Sequence, residues 1–286
     1  MSYKLRILSL GAGVQSSALL LMAEKGVIEP FDCAIFADTG WESQATYQWL
    51  EWLKEACNTP IITVQGPRGS IYDWSMNLRD RVCKPSSLEG LPYFTELNGH
   101  KGMLRRQCTD HFKIRPIHRE TRRLLGLVPR QRASKDCVDQ ALGISLDESQ
   151  RVRASRERMT FLSFPLVKMG MTRWDCINWL TRNSFPVPPK SACVGCPFHK
   201  NGEWRSVRDA DPASWRQAVT LDNTIRTAGI NDGRLKSLLY LHSSRKPLEE
   251  VDLSTQDERR GQGAFDFVKD EKLNLFVNNL SIAVTP

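Results

Sequence analysis

Leu8-Ser9-Leu10-Gly11-Ala12-Gly13-Val14-Gln15-Ser16-Ser17-Ala18-Leu19-Leu20 reads as a buried strand that turns through small residues into a helix. Lys4 to Leu10 alternates and then becomes apolar, as a central strand does, and the apolar run opened by Ser16 and Ser17 continues helically to Lys25. Gly11 and Gly13 give the turn access to positive φ and room for close approach. Backbone N–H groups at such a helix start face an anion, helped by the helix dipole. Ser9, Gly11, Ala12, Gly13, Gln15, Ser16 and Ser17 are therefore candidates for holding phosphate. An ordinary strand-to-helix connection has the same outline, and the neighbouring segments decide between the two readings.

Asp32 to Ala37 is a second short apolar strand, ending in Asp38-Thr39-Gly40-Trp41-Glu42. Strand, helix and strand in this order imply a parallel pair with a right-handed crossover. Asp38 and Thr39 then sit beside the Gly11 turn, in the crevice where open α/β sheets bind ligands. Ser43 to Ala56 reads as an amphipathic helix and Pro60 to Val64 as a third strand. The expected fold is α/β: a doubly wound, mostly parallel, Rossmann-like sheet. Residues 66–100, rich in Gly, Pro, Ser and Asn, read as an excursion outside the core, either a lid, a recognition insertion or a plain surface loop. Thr172 is the expected N-cap of a helix through Leu180, with Cys176 a core thiol on it. From Glu203 the chain reads as helices with Trp204, Trp215 and Leu221 inward, then a polar stretch over 249–263. Two units follow: 1–200, nucleotide-binding, and 201–286, a helical subdomain and tail.

The chain has 286 residues, 41% hydrophobic and 25% charged, ordinary for a globular protein, and no apolar run reaches membrane-spanning length. The N-terminus runs directly into the first strand with no apolar leader, so a cytoplasmic location is expected. The eight cysteines then read as thiols and metal ligands and not as a disulfide framework. Net charge is +8, and residues 101–160 hold fifteen Lys/Arg against seven Asp/Glu, which accounts for the whole excess. Such a segment suits a polyanion, either nucleic acid or a phosphate-rich small substrate; a solvated basic face has the same composition. Cys193-Val194-Gly195-Cys196 presents two sulfurs on one side of a short turn, as half a metal site or a redox dithiol does.

Neither a Gly-Lys-Ser/Thr nor a third dinucleotide-type glycine follows the turn. Gly11-Ala12-Gly13-Val14-Gln15-Ser16 resembles instead the Ser-Gly-Gly-x-Asp-Ser loop of the PP-loop ATP pyrophosphatases, departing from it at Gly11 and Gln15. Asp38-Thr39-Gly40 with the following Glu42, Cys108 ahead of Lys113 and Pro116, Gly143 to Arg151, and Pro165-Leu166 before the Trp174 helix resemble, in order, the phosphoadenosine phosphosulfate (PAPS) reductase branch of that group. The resemblance implies an adenine nucleotide alpha-hydrolase-like fold, and Glu148, Ser149 and Arg151 lining the substrate's phosphate and ribose. Glu148 and Arg151 also suit a simple i,i+3 ion pair. The reductases end in a Glu-Cys-Gly-Leu-His segment that this chain lacks, its last cysteine being Cys196.

In the PP-loop thiolases, ATP adenylates an oxygen, pyrophosphate leaves and sulfur replaces the oxygen, several of them with a three-cysteine 4Fe-4S cluster. Similarity to these implies ATP with Mg²⁺ as cofactor, Cys108 and Arg151 as catalytic residues, and Cys108, Cys193 and Cys196 as metal ligands. Cys83 or Cys137 is the candidate fourth ligand. A zinc site from the same three cysteines with His199 is the alternative. The implied partners are tRNA or DNA through 101–160, a sulfur donor protein and a second copy of the chain as a homodimer. Two other readings stay open: a PAPS reductase-like enzyme using an external thiol, and a nucleotide-sensing module with structural zinc.

Overall fold

The structure is a computed structural model and describes residues 3–77, 91–231 and 236–259. Its strands are β1 (Leu5–Leu10), β2 (Cys33–Ala37), β3 (Ile61–Val64), β4 (Phe94–Leu97), β5 (His100–Met103), β6 (Val138–Leu142), β7 (Thr160–Ser163) and β8 (Leu238–Tyr240). The main helices are α1 (Val14–Glu24), α2 (Gln44–Ala56), α3 (Ile71–Met76), α4 (Arg115–Leu124), α5 (Pro165–Lys168), α6 (Arg173–Arg182), α7 (Asn201–Ala210) and α8 (Pro212–Ile225). Among the described residues no helix is long and apolar enough to cross a membrane.

Five parallel strands make the central sheet in the order β3-β2-β1-β6-β7. The chain winds outward from β1 to β3, then returns to lay β6 on the other side of β1. Connections on the two sides of β1 leave in opposite directions, which opens a crevice at the carboxyl ends of β1 and β6. This is the doubly wound sheet that the strand and helix pattern predicts.

Alternation along the strands decides which helices cover which face. Leu8, Leu10, Ala34 and Phe36 pack under α1, α2 and α6, while Ile7, Ile35 and Val138 pack with Ile117 and Leu124 of α4 on the other face. Helix α1 is buried all round from Ser16 to Ala23, because α6 covers the side that the sheet does not. The Ser43 hydroxyl caps α2 by accepting from the Thr46 N–H at 3.2 Å, and Thr172 opens α6 with a full capping box to Asp175.

A second core lies over the carboxyl ends of β2 and β3. It joins Trp41, Ile71, Leu91, Tyr93, Phe112 and Val194 to Trp204, Leu221, Ile225, Leu239 and Leu248. Strand β4 pairs antiparallel with both β5 and β8. Two expectations change here. The 66–100 excursion supplies core residues and a strand, and among the described residues one core spans position 200, since the late helices bury their apolar faces against the early insertion. Asp222 on α8, with no exposed surface, fixes this packing by accepting from the Leu241 and Leu248 N–H groups at 2.7 and 2.9 Å and pairing with Arg226.

Gly143, just past β6, sets how closely α1 approaches the sheet. A Cβ there would lie 2.8 Å from the Ser16 nitrogen and 3.0 Å from the Ser16 Cα. Gly143→Ala must therefore push the first turn of α1 away from β6, and it is expected to cost about 1–3 kcal/mol in denaturant unfolding. An unchanged midpoint would mean the turn can retreat freely.

Candidate functional site

Between β1 and α1 the turn is braced by one hydroxyl. Ser16 Oγ accepts from the Gly11 N–H at 3.1 Å and donates to the Gly13 carbonyl at 3.3 Å. Positive φ falls on Ala12 (54°), while Gly13 is extended at φ −103°, contrary to the expectation that the two glycines would carry it. Strain in left-handed Ala12 is held by its complete burial. Helix α1 has no side-chain cap and no acid in its first turn, so its leading N–H groups are open to an anion. The Ser17 hydroxyl is turned away: it is buried and accepts from the Trp49 indole N–H at 2.9 Å, so it braces α2 and does not face the crevice. Ser9 accepts from Gln140 Nε2 at 2.6 Å, across the β1–β6 pair.

The β6 side carries the Gly143 to Arg151 segment. Gln15 Nε2 donates to Ser145 Oγ and Glu148 Oε2, both at 3.4 Å, bringing that segment to the α1 N-terminus. Arg151 pairs with Glu148 at 2.6 Å, the i,i+3 geometry, on a part-exposed surface; Ser149 beside them is exposed.

On the β2 side stands a cluster that sequence reasoning assigned only in part. Asp38 accepts from the Gly40 N–H (2.7 Å) and the Tyr47 hydroxyl (2.8 Å). Thr39 donates to Glu42 Oε1 at 3.0 Å, and its hydroxyl lies 3.2 Å from Cys193 Sγ. The Glu42 side chain has no exposed surface; Lys113 reaches Oε1 at 3.3 Å, and Oε2 has no hydrogen-bond partner among the described residues. Burial alone would lower the Lys113 ammonium, but the Glu42 carboxylate outweighs it and holds the group above the ordinary lysine range. Burial, then Glu42, push the Cys193 thiol up, and burial does the same to Cys196. Glu42 and Lys113 were visible in sequence only as members of motifs, because nothing local signals that residues 71 positions apart will meet.

The Cys-x-x-Cys turn is locked onto the segment that follows β2. Glu42 and Cys193 form a bridge, Val194 N–H donates to the Trp41 carbonyl at 2.8 Å, and a Cβ on Gly195 would fall 2.1 Å from the Trp41 ring. Two residues earlier, Ser191 lies against Gly13, its Cβ 3.6 Å from where a Gly13 Cβ would be. One segment thus touches both the Gly11–Gly13 turn and the thiol cluster. Cys108, Arg106 and Lys113 lie within electrostatic reach of Cys196. Cys193, however, faces Thr39 and Glu42, and among the described residues no three His, Cys, Asp or Glu side chains are gathered so as to hold a metal ion. The expected cluster or zinc set does not converge as the residues stand. Both His199 ring nitrogens face oxygens, Cys193 O at 3.0 Å and Glu203 Oε2 at 3.3 Å, so neither points at the thiols. Cys137 cannot be a fourth ligand: it is buried at the amino end of β6, the opposite edge of the sheet. Cys83 lies outside the described residues.

Basic residues of 101–160 divide between the two edges as well. Arg106 and Lys113 flank the thiols and Arg151 the β6 end, whereas Arg122 donates to the Val128 and Gln131 carbonyls, where α4 runs toward the amino edge.

No family model matches the chain, and no curated protein does. Among solved structures it is similar to the phosphoadenylyl-sulfate (PAPS) reductase of Candida auris in its phosphate complex. The TM-score is 0.44 at 15% identity, covering 65% of this chain and 76% of that one.

Glu203 on α7 holds the cysteine turn through His199. Burial raises its carboxyl, but hydrogen bonds from His199, Lys190 and the Lys200 N–H outweigh that and hold it at about 2, below the ordinary 4.5. A depressed carboxylate contributes stability above its unfolded value and loses it as pH falls, here between 4.5 and about 2. Glu203→Gln is expected to be less stable at neutral pH and to show a flatter loss over that window in urea unfolding. Parallel acid profiles for the two proteins would remove the clamp.

Proposed function

We propose that this chain is an ATP-dependent enzyme of the PP-loop, PAPS reductase-like kind. In this reading it adenylates an oxygen of its substrate with release of pyrophosphate and serves sulfur insertion into nucleic acid, tRNA or DNA. The observation that carries the reading is the single segment that abuts Gly13 with Ser191 and bridges Glu42 with Cys193. It supports a nucleotide and a thiol group working on one substrate, because two residues of extended chain span only about 7 Å.

In this reading the open N–H groups of α1 and the turn hold the phosphates of ATP, which enters with Mg²⁺. The substrate oxygen attacks the α-phosphorus, pyrophosphate leaves, and a sulfur nucleophile then displaces AMP. Lys113, paired with Glu42 and within electrostatic reach of Cys193 and Cys108, partly counters the effect of burial and Glu42 on a thiolate formed there. Arg106 and Arg151 at the crevice rim suit the phosphates of a nucleic acid. A separate protein supplies the sulfur. A 4Fe-4S cluster on Cys108, Cys193 and Cys196 would require Cys193 to turn away from Thr39 and Glu42; a broad visible absorption band in anaerobically purified protein is the sign of it, and zinc gives none.

Pyrophosphate release from ATP, measured with and without tRNA or DNA, tests the proposal. Release should rise with the right nucleic acid and vanish in Gly13→Val, whose branched side chain fills the turn. Preferred binding of the phosphosulfate nucleotide, with no pyrophosphate release from ATP, would overturn it in favour of a reductase.

A further inference from the structure

Gln15 occupies the second position of α1, where the PP-loop pattern has an acid. Its amide does not stand free in the crevice. Oε1 accepts from Arg173 Nη1 at 2.8 Å, and Nε2 reaches Ser145 and Glu148. Arg173 is the first residue of α6, and its backbone N–H donates to Asp147 Oδ1 at 3.1 Å. Asp147 is held below the usual carboxylate range, first by the Ser145 hydroxyl. Gln15, Ser145, Asp147 and Arg173 thus close a ring that fixes a guanidinium beside the open first turn of α1.

A guanidinium carries five N–H donors, and among the described residues this one donates to Gln15 alone. Asp147, which Arg173 reaches electrostatically, and the Glu148–Arg151 pair are charges at the same mouth. An amide at position 15 orients Arg173 without neutralising it; a carboxylate there would form an ion pair and consume the charge. Guanidinium groups match phosphate oxygens in planar, two-point geometry.

We propose that Arg173 binds the polyphosphate of the nucleotide and that Gln15 is the residue that positions it. This rests on the reading of the Gly11–Gly13 turn as a nucleotide site. The cation that the loop itself lacks is supplied by α6, 158 residues further along the chain.

Calorimetric titration with ATP, inorganic pyrophosphate and adenosine tests this on the full chain, with thermal melts confirming that each variant folds. Arg173→Gln should weaken ATP and pyrophosphate about tenfold or more while leaving adenosine unchanged, and Arg173→Lys should recover part of the loss. Gln15→Ala should weaken both anions by less, and should add nothing in the Arg173→Gln background, because the two act as one unit. Unchanged ATP affinity in folded Arg173→Gln, or additive losses in the double variant, overturns the proposal while the nucleotide site stands. A wild-type protein that binds neither ATP nor pyrophosphate overturns the nucleotide reading and this proposal together.

Discussion

A carboxylate with no exposed surface has to find charge and hydrogen bonds inside the protein, and Glu42 finds them on its own segment and on two distant ones. Lys113 comes from the lead into α4, Thr39 from the end of β2, and Cys193 from the segment after α6. Leaving such a group unpaired would cost several kcal/mol. The cluster therefore specifies how these segments meet over the sheet. One oxygen, Oε2, has no hydrogen-bond partner among the described residues.

Everything at the mouth of the sheet is arranged by strand order. Because β1 is flanked by β2 and β6, the thiols, the Gly11–Gly13 turn and the Glu148–Arg151 segment stand side by side at neighbouring strand ends. Strands in a sheet are about 4.8 Å apart, so the three groups fall within reach of one extended ligand. The second core holds this mouth from above, with Trp41 pressed on Gly195 and donating its indole N–H to Gln217 of α8 at 2.8 Å. The helices after residue 200 therefore act as the backing of the thiol turn.

Local chemistry made much of this readable in advance. Apolar runs of the right length gave β1, β2 and β3, small residues gave the turn, and Ser43 and Thr172 marked helix starts, because each signal depends on residues a few positions apart. What needed the third dimension was whatever joined distant positions. Ser17 looks like a phosphate hydroxyl and is spent on Trp49, and the positive φ lies on Ala12 although glycines stand on either side. The three cysteines share a motif order but not, as placed, a common centre.

By itself the sequence determined a doubly wound α/β sheet with an anion-ready turn after its first strand, since period and turn chemistry are local properties of the chain. Tertiary structure alone decided that Lys113 neutralises Glu42, that Arg173 hangs on Gln15, and that Ser191 carries the thiol turn to Gly13. Those contacts join residues far apart in the chain, and no local preference encodes them: they follow from which helix covers which face and which strand ends lie side by side.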